Sequence, residues 1–178
     1  MGELDPFVEI KSIVFPRNQI SQEYLKICKQ NGIISYRGYE DHEIYKPRSR
    51  KKSKKILHRV LRITDAYYNI TGNHTYKLNG LVENDIVNIP SSYFLRPYNN
   101  TLKILEPLKI RRVKMAMDFA AKNNELFHLW FHPHNFGQNM DKNIKNLELI
   151  FKEFVKFRDK YSFECKTMSE LANELKLN

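Results

Sequence analysis

Short apolar runs alternate along this chain with stretches whose apolar residues recur at helical spacing. Ile10-Lys-Ser-Ile-Val-Phe15 is β-branched and aromatic and is stopped by Pro16, which predicts a short buried strand. Ser21 is placed to N-cap a helix with Tyr24, Leu25, Ile27 and Cys28 as its apolar positions, and Asn31-Gly32 supplies the stop. Ile33-Ile-Ser-Tyr36 predicts the next strand. Residues 10–36 therefore read as a strand–helix–strand unit, the building block of parallel sheets.

The middle of the chain is less regular. Residues 39–55 are polar and basic and read as a loop, while Leu57, Val60, Leu61 and Ala66 predict one helix over 56–68. Residues 69–79 have turn composition, and Val87-Asn-Ile-Pro90 and Tyr93-Phe94-Leu95 read as extended. Regularity returns at Pro107, which suits the first turn of a helix to about 122 with Leu108, Val113, Met115, Ala116 and Phe119 apolar. The apolar run 126–131 ends at Pro133 and predicts a buried strand. Asp141 can cap a long helix with the stripe Ile144, Leu147, Ile150, Phe151, Phe154 and Val155. A last strand is expected near 163–165, before Thr167-Met-Ser-Glu170, a capping box that opens a terminal helix. Repeated strand–helix alternation makes the fold class α/β, in one domain over residues 1–178 with an irregular, basic, insertion-like region at about 40–105.

Composition narrows this further. A chain of 178 residues with 42% hydrophobic and 12% aromatic content is not expected to be disordered. It has no run of about 18 apolar residues, so no membrane-spanning helix is expected. The first six residues carry two acids and no apolar core, which argues against a signal peptide and for a cytoplasmic protein. Cys28 and Cys165 stand far apart without metal-ligand spacing, which suits a reducing compartment. The net charge of +10 is mostly one feature: Lys46-Pro-Arg-Ser-Arg-Lys-Lys-Ser-Lys-Lys55 holds seven cations, and without it the charge is +3. Such a run reads either as a contact for an anionic polymer or as a solvated loop. It contains no aromatic residue to stack a base, which favours the loop.

The densest polar cluster is His128-Leu-Trp-Phe-His132-Pro-His134-Asn135, running from an apolar strand into a loop. The ends of α/β strands are where such folds hold ligands. Alternation places His128, Trp130 and His132 on one side of the strand and Leu129 and Phe131 on the other, towards the helices. The three histidines can shuttle protons near neutral pH, but strand spacing argues against zinc on them. Positions four apart lie about 13 Å apart along a strand, and no acid is adjacent. Arg17, in Phe15-Pro-Arg-Asn-Gln19, stands at a second strand end and is suited to grip a carboxylate or a substrate oxygen. Arg37, in Tyr36-Arg-Gly38, stands at a third.

Taken in order, Phe15-Pro-Arg-Asn-Gln19, the helix to Gly32, Tyr36-Arg-Gly38, Leu129-Trp-Phe-His-Pro-His-Asn-Phe-Gly137 and Lys166-Thr-Met-Ser-Glu170 resemble polysaccharide deacetylases of the NodB-homology type, carbohydrate esterase family four. The resemblance covers residues 10–39 and 126–175 well and 40–122 poorly. It implies a distorted (β/α) barrel that removes N-acetyl groups from sugars with a divalent metal such as zinc. His132 matches the motif that contributes the catalytic acid. Arg17 matches the one whose Arg orients the catalytic base, and Trp130 would wall the acetyl pocket. Arg37, His134 and Asn135 are the candidate substrate contacts. The family's Asp-Asp motif has no counterpart, the nearest being Thr64-Asp65, and its early His-x-x-x-His is missing too. On this reading the chain is an incomplete barrel, the C-terminal portion, without metal ligands or base of its own. It would be inactive alone, and competent only if a partner chain supplies the first strands. Two other classes stay open: a non-catalytic glycan-binding or scaffold remnant, and nucleic-acid binding through residues 46–55.

Overall fold

The computed structural model describes residues 9–46 and 53–177, with the side chains of Arg17, Ser53, Lys54, Lys55 and Leu177 left aside. Most of the basic run 46–55 thus lies outside the described residues, as does the Arg17 side chain. The fold is mixed α/β and divides into two compact units.

The first unit comprises the chain up to Gly38, Leu78–Ile89 and the segment from Cys165 onward. Strand β1 (Ser12–Ile13) leads into helix α1 (Gln22–Gln30) and returns as β2 (Ser35–Gly38), parallel to β1 with Ser12 opposite Ser35 and Ile13 opposite Tyr36. The local chemistry is what the residues dictate. The Ser21 side chain accepts the Tyr24 amide hydrogen at 3.2 Å, and the helix stops at Asn31 because Gly32 takes φ +79°, where a side chain would strain the backbone. A hairpin of β3 (Val82–Glu83) and β4 (Ile86–Pro90) completes a sheet ordered β1-β2-β4-β3. Phe15, Leu25, Tyr36 and Ile86 form its core, with Ile13, Ile20, Cys28 and Ile33 packed around them.

The same unit holds the terminal helix α5 (Met168–Leu177), which packs on β2. Its capping box closes in both directions. The Glu170 amide donates to Thr167 Oγ1 at 3.2 Å, and the Thr167 amide donates to Glu170 Oε2 at 2.7 Å. That second bond, the largest influence, holds the Glu170 carboxyl below the usual carboxylate range. The strand expected at 163–165 is absent. Ser162 turns the chain left-handed at φ 55°, and Phe163, which like Phe154 belongs to the second unit, packs on Phe154 instead.

The second unit, Tyr39–Lys77 and Pro90–Glu164, contains helices α2 (Ser53–Tyr67), α3 (Glu106–Asn123) and α4 (Met140–Tyr161). It also contains the parallel two-stranded sheet of β5 (Tyr93–Phe94) and β6 (Leu129–Trp130). α3 packs mainly against α4 and also against α2. The core gathers Tyr93, Leu95, Ile110, Val113, Met117 and Phe136 with Ile150 and Phe157 of α4. Four helices expose apolar positions of the stripes expected from their periodicity, among them Tyr24 and Ile27 on α1 and Leu57 and Val60 on α2. On α3, Met115 and Phe119 are 52% and 42% exposed, while Glu106, Lys109 and Arg112 are buried. On α4, Asn139 rather than Asp141 occupies the cap, and Ile144, Phe151 and Val155 are exposed. Among the described residues no helix is long and apolar enough to cross a membrane.

Candidate functional site

β5 and β6 run parallel with Phe94 opposite Trp130, so alternation sends Tyr93 and Leu129 into the core and Phe94 and Trp130 to the other side. There the two rings stack, centroids 4.3 Å apart and planes 32° apart. Past β6, Phe131 returns to the core and stacks on Phe136 at 4.7 Å. His132 comes back to the Trp130 side. Its ring meets Trp130 edge-on at 5.3 Å and Phe94 at 5.6 Å, and His134 lies over it at 5.2 Å. Trp130, His132 and His134 thus form one group on a Phe94 base, with both histidines exposed. Asn135 is half-buried in the 3-10 turn Pro133–Phe136, where its amide donates to the His132 carbonyl at 3.0 Å. His128 is tied through its backbone: its amide donates to Ser92 Oγ at 2.9 Å.

Two buried polar side chains fix the segments that leave these strands. Asn143 of α4, 1% exposed, donates to the carbonyls of Phe136 (3.2 Å) and Gln138 (2.9 Å) and accepts the Tyr98 amide hydrogen (2.6 Å). Lys109 of α3 is fully buried and donates to the carbonyls of Arg96 (2.9 Å) and Pro97 (3.3 Å). Burial pushes its ammonium pKa down, and the Glu106 carboxylate at 2.6 Å opposes that shift. Each group satisfies carbonyls that would otherwise be orphaned.

Phe94 also borders a cleft of about 250 Å³, counting the solvent at its mouth, which is lined by Glu40, Tyr45, Arg62, Arg96 and Arg112. Beneath it lies Asp65, 0% exposed. Its Oδ1 accepts from the Ile70 and Thr71 amides (3.0 and 2.9 Å). Its Oδ2 accepts from Tyr45 (2.5 Å), Thr71 Oγ1 (3.0 Å) and Arg112 Nη2 (2.8 Å). Five donors saturate this carboxylate. Burial first, and then the bond to Asp65, push the Tyr45 phenol pKa well up. Burial pulls His74 down to about 4; its Nε2 lies 2.6 Å from Thr71 Oγ1.

Arg17 and Arg37 belong to the first unit, whereas Trp130, His132, His134 and Asn135 belong to the second. Arg17 sits in the 3-10 turn Pro16–Asn18, and Arg37 on β2 donates to Asn18 Oδ1 at 3.1 Å. The Asp65 of Thr64-Asp65 is consumed by its own chain. Among the described residues no group of three His, Cys, Asp or Glu side chains could hold a metal ion, so those residues by themselves do not fit one. The cleft residues Tyr45, Arg62, Arg96 and Arg112 were not among the sequence-based candidates. The only signal was the charge of α3 at helical spacing with Ile110 and Val113, and it reads as a solvated face until Asp65 is seen opposite. Compared with family models, curated proteins and solved structures, the chain finds no match.

Proposed function

We propose that this chain is the C-terminal part of a metal-dependent polysaccharide deacetylase of the NodB-homology type, working on N-acetylated glycans with a partner chain that supplies the missing barrel strands. One observation carries the reading: the exposed His132 ring stands 5.3 Å from Trp130, at the C-terminal end of β6. An exposed imidazole can exchange its proton with water, and beside an aromatic wall it can reach a sugar stacked there. In this reading His132 protonates the departing amine and Trp130 walls the acetyl pocket. His134 and Asn135 touch the substrate beyond it. Arg17 orients the catalytic base and Arg37 supports the same strand end, while base and metal come with the partner. The parallel β1–α1–β2 unit and the parallel β5–β6 pair are pieces of the kind a distorted (β/α) barrel uses. The edges β1 and β3 of the larger sheet are where further strands would pair. We place the chain in the cytoplasm, in keeping with free Cys28 and Cys165.

A second reading, glycan binding without catalysis, draws on the same platform and on the saturation of Asp65. Calorimetry with N-acetylglucosamine oligomers, run beside acetate release in added zinc or cobalt, separates the two. The chain alone should bind, lose binding in Trp130→Ala and show no turnover. Turnover should appear when a fragment carrying the Asp-Asp and His-x-x-x-His motifs is added, and should vanish in His132→Ala. Binding indifferent to Trp130→Ala sinks the platform. Turnover by the chain alone sinks the incomplete site. Binding that never leads to turnover makes the second reading the function.

A further inference from the structure

The cleft beside the aromatic platform carries an excess of positive charge that the deacetylase reading leaves unused. Three guanidinium groups, Arg62, Arg96 and Arg112, line it against one carboxylate, Glu40. Arg112 is neutralised from behind by Asp65 and lies over the Tyr93 ring at 4.9 Å. Its Nε is nonetheless buried without a hydrogen-bond partner among the described residues. A residue that is 94% buried, given its 6% exposure, seldom leaves a donor unmet unless a ligand or water meets it. Arg62 spends Nε on the Ile44 carbonyl at 2.5 Å and rests on the Tyr45 ring at 5.7 Å, with no carboxylate partner among the described residues. Arg96 has neither ion pair nor hydrogen bond from its side chain among the described residues; its one contact of that kind is the face of Phe94, 5.7 Å away.

Position ties this charge to the platform. Phe94 is shared: one ring stacks with Trp130 at 4.3 Å and underlies Arg96 at 5.7 Å. A ligand lying on the platform would therefore have its next group over the cleft. Size limits that group. Set apart from the solvent at its mouth, the cleft's own space is about 20 Å³, far below the roughly 300–1,000 Å³ of pockets that enclose a whole small ligand, so it admits not a ring but only the tip of a substituent. Geometry favours a planar one: forked guanidinium donors pair best with the two oxygens of a carboxylate, and the half-buried setting weakens screening by salt.

We infer that the glycan is acidic, with a hexuronic acid next to the N-acetylated sugar and its carboxylate seated among Arg62, Arg96 and Arg112. This rests on the glycan reading above and adds to it a substrate class. The test uses the whole chain and two matched probes. One is a tetrasaccharide alternating N-acetylglucosamine with glucuronic acid; the other is the same molecule with its carboxyls reduced to alcohols. Titration at low salt should show the acidic probe binding about tenfold more tightly, the worth of one charge-assisted contact. Arg96→Gln should erase that difference, and Arg62→Gln should do so in part. Added salt should weaken only the acidic probe. Equal affinities for the two probes, or an advantage that survives Arg96→Gln, overturns the inference while the glycan reading stands. Failure of both probes, and of neutral N-acetylglucosamine oligomers, overturns both together. Preference for a phosphorylated over a carboxylated sugar of equal length also overturns it, since the site is then built for phosphate.

Discussion

Replacing Asp65 with Asn changes almost nothing in volume and removes one charge from a position where five donors converge. Both carboxylate oxygens are in use: Oδ1 by two backbone amides, Oδ2 by Tyr45, Thr71 and Arg112. An amide nitrogen placed at Oδ1 would face two N–H donors, and placed at Oδ2 would face two hydroxyls and a guanidinium. Arg112, 6% exposed, would also keep its charge with its carboxylate partner gone. Breaking a buried pair from one side costs about 3–5 kcal/mol. For a chain of 178 residues, about 2–4 °C of Tm per kcal/mol converts this to a fall of roughly 6–20 °C. Thermal melts by near-ultraviolet circular dichroism measure it, and urea melts give the free energy independently. The double variant Asp65→Asn with Arg112→Met should lose less than the two single losses combined, because the stranded charge is gone. A loss below about 1 kcal/mol for Asp65→Asn, the worth of an exposed pair, would refute the idea that the cleft is built on this carboxylate.

Three further outcomes are expected. His74 titrates near 4 in the fold against 6.5 unfolded, so between those values the unfolded chain holds the extra proton. Stability should be flat above pH 6.5 and fall as pH drops towards 4, with this one group contributing at most about 1.4 kcal/mol per pH unit; His74→Gln should flatten that slope in acid melts, and an unchanged slope counts against the assignment. Ser21→Ala removes the cap of α1 and should cost about 1 kcal/mol, read as faster hydrogen exchange at Tyr24 and its neighbours; unchanged exchange would mean the cap is idle. Asn143→Ala strands the carbonyls of Phe136 and Gln138 and should cost about 1–3 kcal/mol, with His132 and His134 resonances broadened or shifted; sharp, unmoved histidine signals would show that the turn holds itself.

What could be read from the residues, and what could not, divides along the range of the interactions. α1, the Ser21 cap, the Gly32 stop and the Thr167–Glu170 box rest on contacts within a few residues, and each stands where its residues predicted. β1 and β2 form nearby but as Ser12–Ile13 and Ser35–Gly38, and Ile10 and Val14 of the first run, expected to be buried, are exposed. So does the alternation that puts Trp130 and His132 on one side and Leu129 and Phe131 on the other. The cleft was hidden because its parts are charged. A periodic reading of α3 ranks Met115 and Phe119 as core and Lys109 and Arg112 as surface, yet Asp65 lies 47 residues from the Arg it neutralises. Burial of a charge depends on a partner far along the chain, and hydrophobic periodicity carries no information about it. The strand expected at 163–165 failed for a related reason, since Phe163 earned its apolar score by packing on Phe154 without pairing any backbone.

Trp130 is the sole tryptophan of the chain, which makes the platform directly observable. Titrating the protein with an N-acetylglucosamine oligomer while recording tryptophan emission therefore tests the central claim at its own residue. A saturable change in intensity and wavelength is expected, with a midpoint equal to the Kd from calorimetry, and the midpoint should move to higher concentration in Phe94→Ala. Calorimetric binding with unaltered Trp130 emission would place the glycan elsewhere on the molecule, and no binding by either measurement would contradict the assignment of this surface to a glycan.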